Sequence, residues 1–352
     1  MEEMMSVGKS VYLAVGALFL AIFLFGCEGD EGQVGPDGFQ GPNGPNGNDY
    51  TPEPIITQSF GLMINNRTAT DFNGAAAVEI TSDANAMPGA NRVVARQLSK
   101  APVIDGIDGG AAEWGAALPS DISLTSLFGV DNGIATAKVR FGFDRNYVYA
   151  QVVWTEVATG SFSIGADTAA NMWRRTGASW SRSGGEDNLY LAWELDNIAG
   201  WDANGIAAIF DGTTFKTASA GENADLWVWQ ATRSNYAGIA TDNMVEFSDV
   251  DGRKSDIGSA VVLENDAVSG RPRYMKSNSP KTGTTYPLKA FEFSAFVINN
   301  SWVNGATIPG YITLVPSGST ADVRAEATFF SDTWIVELRR ARNTGNADDL
   351  AL

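Results

Sequence analysis

The sequence predicts an all-β chain built around an antiparallel sandwich, with short helices or loops inserted. Three observations carry this. First, Lys138-Val139-Arg140-Phe141-Gly142-Phe143 and Tyr147 to Trp154 are β-rich runs separated only by Asp144-Arg145-Asn146, which is a hairpin signature. Second, similar runs recur at Asn188–Glu194, Gly205–Phe210, Asp225–Ala231, Phe291–Ile298, Tyr311–Val315, Val323–Phe330 and Thr333–Leu338, divided by turn clusters such as Ser183-Gly184-Gly185 and Ser317-Gly318-Ser319. Third, no long 3.6-residue apolar period follows the first 26 residues. Together these point to a sandwich of the immunoglobulin or carbohydrate-binding-module type.

The elements follow in chain order. Residues 11–26, VYLAVGALFLAIFLFG, form an apolar stretch behind Lys9 and directly before Cys27, so residues 1–26 are expected to be a signal peptide. Leu24-Phe25-Gly26-Cys27 resembles a bacterial lipobox, with Phe25 in place of a small residue, and Cys27 is the expected lipidation site. An exported protein held by a lipid anchor, periplasmic or on the cell surface, is the localisation this implies. Residues 27–50 continue as a glycine triplet repeat: Gly29, Gly32, Gly35, Gly38, Gly41, Gly44 and Gly47 fall at every third place. That is the spacing a collagen triple helix demands. The segment is expected to be an extended spacer, with a homotrimeric stalk as the alternative. Residues 51–97 are a mixed lead-in that contributes a strand or short helix, and the sandwich domain spans 98–352.

Composition narrows the chemistry. The 352 residues contain no histidine and one cysteine, and the formal net charge is −17. Without His there is no Ser-His-Asp or Cys-His nucleophile, no His-bearing zinc site and no His-ligated haem. A single Cys excludes iron–sulfur clusters and disulfides within the chain. The acidic balance argues against a nucleic-acid partner. Neither a phosphate-binding GxxxxGK[ST] loop nor a GxGxxG behind a strand is found.

Three segments carry a resemblance. They are Pro102-Val103-Ile104-Asp105-Gly106 with Glu113-Trp114; Asp225-Leu226-Trp227-Val228-Trp229-Gln230-Ala231-Thr232-Arg233; and Trp334-Ile335-Val336-Glu337-Leu338-Arg339-Arg340 with Thr344-Gly345 and Asp348-Asp349. In this order they resemble the ethylbenzene dehydrogenase-related haem-binding domain, which includes the haem subunits of ethylbenzene and dimethyl sulfide dehydrogenases. The resemblance covers about residues 100–350. It implies haem b held between a Met and a Lys, with electron transfer to a redox partner protein in the envelope and no catalysis by this chain. The family's Met lies between the strand equivalent to Asn188–Glu194 and the DLWVWQ segment. That interval has no Met here and offers Phe215 and Lys216. The family's Lys lies in a strand beyond the W-V-L-R segment, and the chain given stops at Leu352. Neither ligand position is matched, so the candidates for a haem site are Lys216 with Met172, Met244 or Met275. The alternative is a haem-free sandwich that binds carbohydrate or another envelope protein, its interior filled by Trp and Phe side chains.

Other charged residues read as structural. Asp249–Asp256 alternates acids like a calcium loop but fails the EF-hand pattern and is expected to be a surface turn. Glu186-Asp187 before a strand, and Glu194 with Asp196 after it, could place carboxylates on one face as a glycosidase requires, but in so acidic a chain they are expected to be solvated. Arg233, Arg339 and Arg340 are expected to form ion pairs, with Asp225, Asp242 or Asp349 as partners.

Overall fold

A computed structural model describes residues 57–65, 72–83, 85–128, 133–156, 171–266, 270–298 and 301–352. They belong to a compact unit running from Pro54 to Leu352. Residues 1–26, expected to be a signal peptide, together with Cys27 and the glycine triplets, lie outside the described residues.

Two sheets face each other. The first is ordered Arg92–Val94, Val78–Thr81, Gln58–Asn65, Asn188–Glu194, Ala224–Gln230 and Ile239–Val245. The second is ordered Val323–Phe330, Thr333–Ala341, Tyr147–Thr155, Thr136–Phe143 and Arg96–Gln97. Pairing is antiparallel except at the two outermost strands, Arg92–Val94 and Arg96–Gln97. The sheets meet where Ile239 and Ala240 pair with Arg324 and Val323. The chain is therefore the all-β sandwich that the strand runs predict.

The expected hairpin is present, with Phe141 opposite Ala150 and Val139 opposite Val152. Its second strand also pairs with Thr333–Ala341, bringing Trp154 beside Trp334. Period-two alternation then sorts the aromatic rings. In Ala224–Gln230, Trp227 and Trp229 point between the sheets, where they meet Phe60, Phe141, Trp154, Trp193 and Trp334. Leu226 and Val228 point outward into a second cluster with Trp201, Ile206, Ile209, Phe210 and Phe215. A strand buried on both faces shows a nearly continuous apolar run, which explains ADLWVWQ. Ring centroids 5.2 Å apart for Trp193–Trp227 and 4.9 Å for Trp229–Trp334 show how closely the interior is packed.

Two segments differ from the sequence expectation. Residues 205–210 are not a strand: Gly205–Ala208 is a 3-10 turn following the short helix Trp201–Asn204. Ile206, Ile209 and Phe210 recur at helical spacing and cover the outer face of the first sheet. Gly61 allows this, since a Cβ there would lie 2.5 Å from the Ile206 nitrogen. The lead-in contributes more than one strand or helix. Gln58–Asn65 pairs along its length with Asn188–Glu194, so the first sheet is assembled around a strand that precedes residue 98.

The loop Pro102–Gly106 is latched to the second sheet by buried Glu337. Its Oε2 accepts from the Asp105 and Gly106 amides at 3.1 and 3.0 Å, and its Oε1 accepts from Gln151 at 2.9 Å. Gly106 has φ +74°, and a Cβ there would lie 2.7 Å from the Ala327 backbone. Gly106→Ala should therefore lower stability by about 1–3 kcal/mol, read as a reduced midpoint in chemical denaturation with an unchanged slope.

Candidate functional site

The strand Thr333–Ala341 turns Trp334, Val336, Leu338 and Arg340 to the interior by alternation. The fourth of these is a guanidinium, fully buried, and it must meet counter-charges there. The same alternation supplies them from the first sheet. Asp225 shares a face with Trp227, and Asp242 sits opposite Trp227 in the neighbouring strand. Asp349 comes from the chain beyond the last strand. Arg340 Nη1 donates to Asp225 Oδ2 at 2.5 Å and lies 3.7 Å from Asp242 Oδ2 and 3.9 Å from Asp349 Oδ1. Its guanidinium stands 4.8 Å over the Trp227 ring, and its Nη2 donates to the Leu350 carbonyl. The Leu350 amide donates to Asp225 at 2.9 Å, closing the tail over the cluster.

Three carboxylates thus face one guanidinium without solvent. Burial, then the Asp225 charge, pushes Asp242 well above the usual carboxylate range, against a smaller opposing pull from Arg340. Burial also raises Asp225, despite the pull of Arg340. For Arg340 burial acts to lower the pKa, and the surrounding aspartates outweigh it and hold the group charged.

A second buried acid, Glu186, accepts from the Thr232 amide at 2.8 Å, from its hydroxyl and from Arg233. Asp187 accepts from the Trp334 indole at 3.0 Å. Glu186 and Asp187 are therefore buried rather than solvated, Glu186 holding the end of the DLWVWQATR segment and Asp187 holding Trp334. Arg339 stacks over Tyr147, with its guanidinium 4.7 Å from the ring.

A cavity of about 250 Å³ lies beside this frame on the outer face of the first sheet. Its walls are Gln230, Arg233, Ser234, Thr241, Asn243, Arg253, Ser255 and Asp256, with Gly258–Val262 and Thr320. Burial, followed by the charges of Asp348, Asp349 and Asp225, pushes Asp256 up to about 7. The cavity therefore offers hydroxyl, amide and guanidinium groups, together with one carboxyl of raised pKa. Nothing in the sequence marks it beyond the polar Thr241 and Asn243 alternating with inward Asp242 and Met244.

The haem-ligand candidates fall in different settings. Lys216 follows the Phe210–Phe215 bridge and ion-pairs with Asp211 at 3.1 Å, with its side chain partly exposed. Met244 lies on the inward row of the first sheet, opposite Asp225. Met172 is buried in a separate three-stranded sheet, opposite Pro309. Met275 packs with Trp173, Trp302 and Ile308 in a side cluster. None of the four lines the 250 Å³ cavity, nor the shallower one beside Tyr286, Lys289 and Glu292. Among the described residues, the interior is occupied by tryptophan and phenylalanine rings. The candidates present do not fit a haem held between Met and Lys.

An antiparallel sandwich whose signature motifs converge on a buried arginine–aspartate cluster is the class of protein these observations define. The ethylbenzene dehydrogenase family model matches residues 157–352, more than half of the chain, and the chain belongs to that family. A search of curated proteins gives no match.

Removing the central cation leaves carboxylates uncompensated in the interior. Arg340→Met should cost about 3–5 kcal/mol, measured by urea denaturation. Arg339→Met, which removes a guanidinium outside the cluster, should cost less than half as much.

Proposed function

We propose that this family member is a non-catalytic binding module, exported and lipid-anchored at Cys27, whose ligand is a small polar molecule of the carbohydrate class. The observation that carries the reading is the polar-walled 250 Å³ cavity beside Arg233 and Arg253, set against an interior packed with aromatic rings. Ligand sites generally combine a concave surface with a few convergent polar groups. The cavity lies just below their usual size range, which suits a single small polyhydroxylated unit. The glycine triplets supply a spacer between anchor and sandwich, and a homotrimeric stalk is the associated proposal for the assembly state.

Arg253 serves as the exposed donor on the cavity wall, while Arg233 is engaged by Glu186. Losing a charged hydrogen-bond donor is worth roughly a factor of 10–100 in affinity. Arg253→Ala should weaken binding of the best-bound mono- or disaccharide in a calorimetric screen by at least the lower figure, with no loss of fold. A screen in which no sugar binds, or in which Arg253→Ala binds equally well, would overturn the carbohydrate reading.

The second reading is haem b binding with electron transfer to an envelope redox partner, favoured by the match to the ethylbenzene dehydrogenase family. An absorbance spectrum separates the two. The full chain from haem-replete cells should be colourless and remain so after haemin titration. A Soret band with sharp reduced α and β bands, near one haem per chain, would establish the second reading instead.

A further inference from the structure

The charge count around Arg340 leaves an unbalanced remainder. Asp225, Asp242 and Asp349 are all buried, and one oxygen from each lies within 4.8 Å of the other two. Arg340 satisfies Asp225 and stays beyond hydrogen-bond reach of the other two. Both oxygens of Asp242 lack a hydrogen-bond donor among the described residues, as do Oδ1 of Asp225 and Oδ1 of Asp349. An ionised, buried carboxylate with neither oxygen accepting a hydrogen bond is costly to hold. Here it is directed at two others.

We propose that Asp242, Asp349 and the free oxygen of Asp225 bind a calcium ion, with Arg340 as the fixed cation beside it. With all three carboxylates ionised the cluster carries two negative charges beyond Arg340, and one divalent cation balances both by displacing the proton that burial favours on Asp242. The donors are all oxygen, as a hard cation requires. Calcium takes oxygen ligands at about 2.3–2.6 Å, so ligands on opposite sides of the ion stand about 5 Å apart. Oxygens that all lie within 4.8 Å of one another fall inside that span. Magnesium, which retains several waters in tight octahedral geometry, suits a fully enclosed cluster less well. The ion has a structural role, since the cluster joins both sheets to the C-terminal tail.

The test is thermal unfolding of the full chain after EDTA treatment and dialysis, with and without millimolar CaCl2. An ion that binds only the folded chain raises the midpoint, and at a hundredfold excess over Kd the expected rise is roughly 5–10 °C. Asp242→Asn should abolish the rise, as should Asp349→Asn, which serves if the first variant does not fold. An unchanged wild-type midpoint would overturn the assignment. So would a calcium-induced rise that persists in both variants, because the ion would then sit elsewhere.

Discussion

The contact on which the rest of the molecule depends is the ion pair between Arg340 and Asp225. Each belongs to a different sheet, and each is placed inward by an alternation that the neighbouring rings enforce. Trp227 and Trp229 cannot face the core without Asp225 doing so, nor can Trp334 and Leu338 without Arg340. The pair therefore fixes the register of one sheet against the other. A slip of one residue in either strand would send a charge out and an indole with it. Buried pairs of this kind add little stability over an apolar substitute, and their better-attested value lies in specifying one arrangement.

The same logic explains the segments by which the family is recognised. In DLWVWQATR, the Asp meets Arg340, the tryptophans fill the interior, and Thr232 and Arg233 are held by Glu186. In WIVELRR, Glu337 holds the Asp105–Gly106 loop while Arg340 holds Asp225 and the tail. PVIDG ends in a glycine that must lie against the Ala327 backbone. All of these motif residues act on other parts of the chain. Their agreement with the ethylbenzene dehydrogenase family is agreement in scaffold, and the walls of the 250 Å³ cavity lie largely outside the motifs.

Legibility in the sequence followed the length scale of the interaction. The hairpin over residues 138–154 and the strands Asn188–Glu194 and Val323–Phe330 were readable because alternation and turn residues are local. The pairing of Arg340 with Asp225 was readable as a class of contact, since an arginine in a strand motif needs an acid. That all three acids named as possible partners, Asp225, Asp242 and Asp349, would converge on Arg340 at once was not, because they come from strands and a tail far apart in the chain. Residues 205–210 misled because five apolar residues in six suit a strand as well as a turn, and only the face of the sheet beneath decides. The central position of Gln58–Asn65 was hidden by a mixed composition around it. Its pairing with a strand more than a hundred residues later has no local signal.

The outermost strands of the two sheets, Arg92–Val94 and Arg96–Gln97, are separated in the chain by Ala95 alone. The eleven-strand path is thereby tied end to end by one stretch of backbone. A chain cut to begin at residue 98 would lose Gln58–Asn65 and the strands outside it, exposing Asn188–Glu194 along its backbone, together with the Gly142-Phe143 end of Thr136–Phe143. The first of these strands carries Leu191 and Trp193, which makes it a template for pairing with another copy. The N-terminal forty residues of the compact unit thus act as the clasp that keeps the sandwich from becoming the seed of an aggregate.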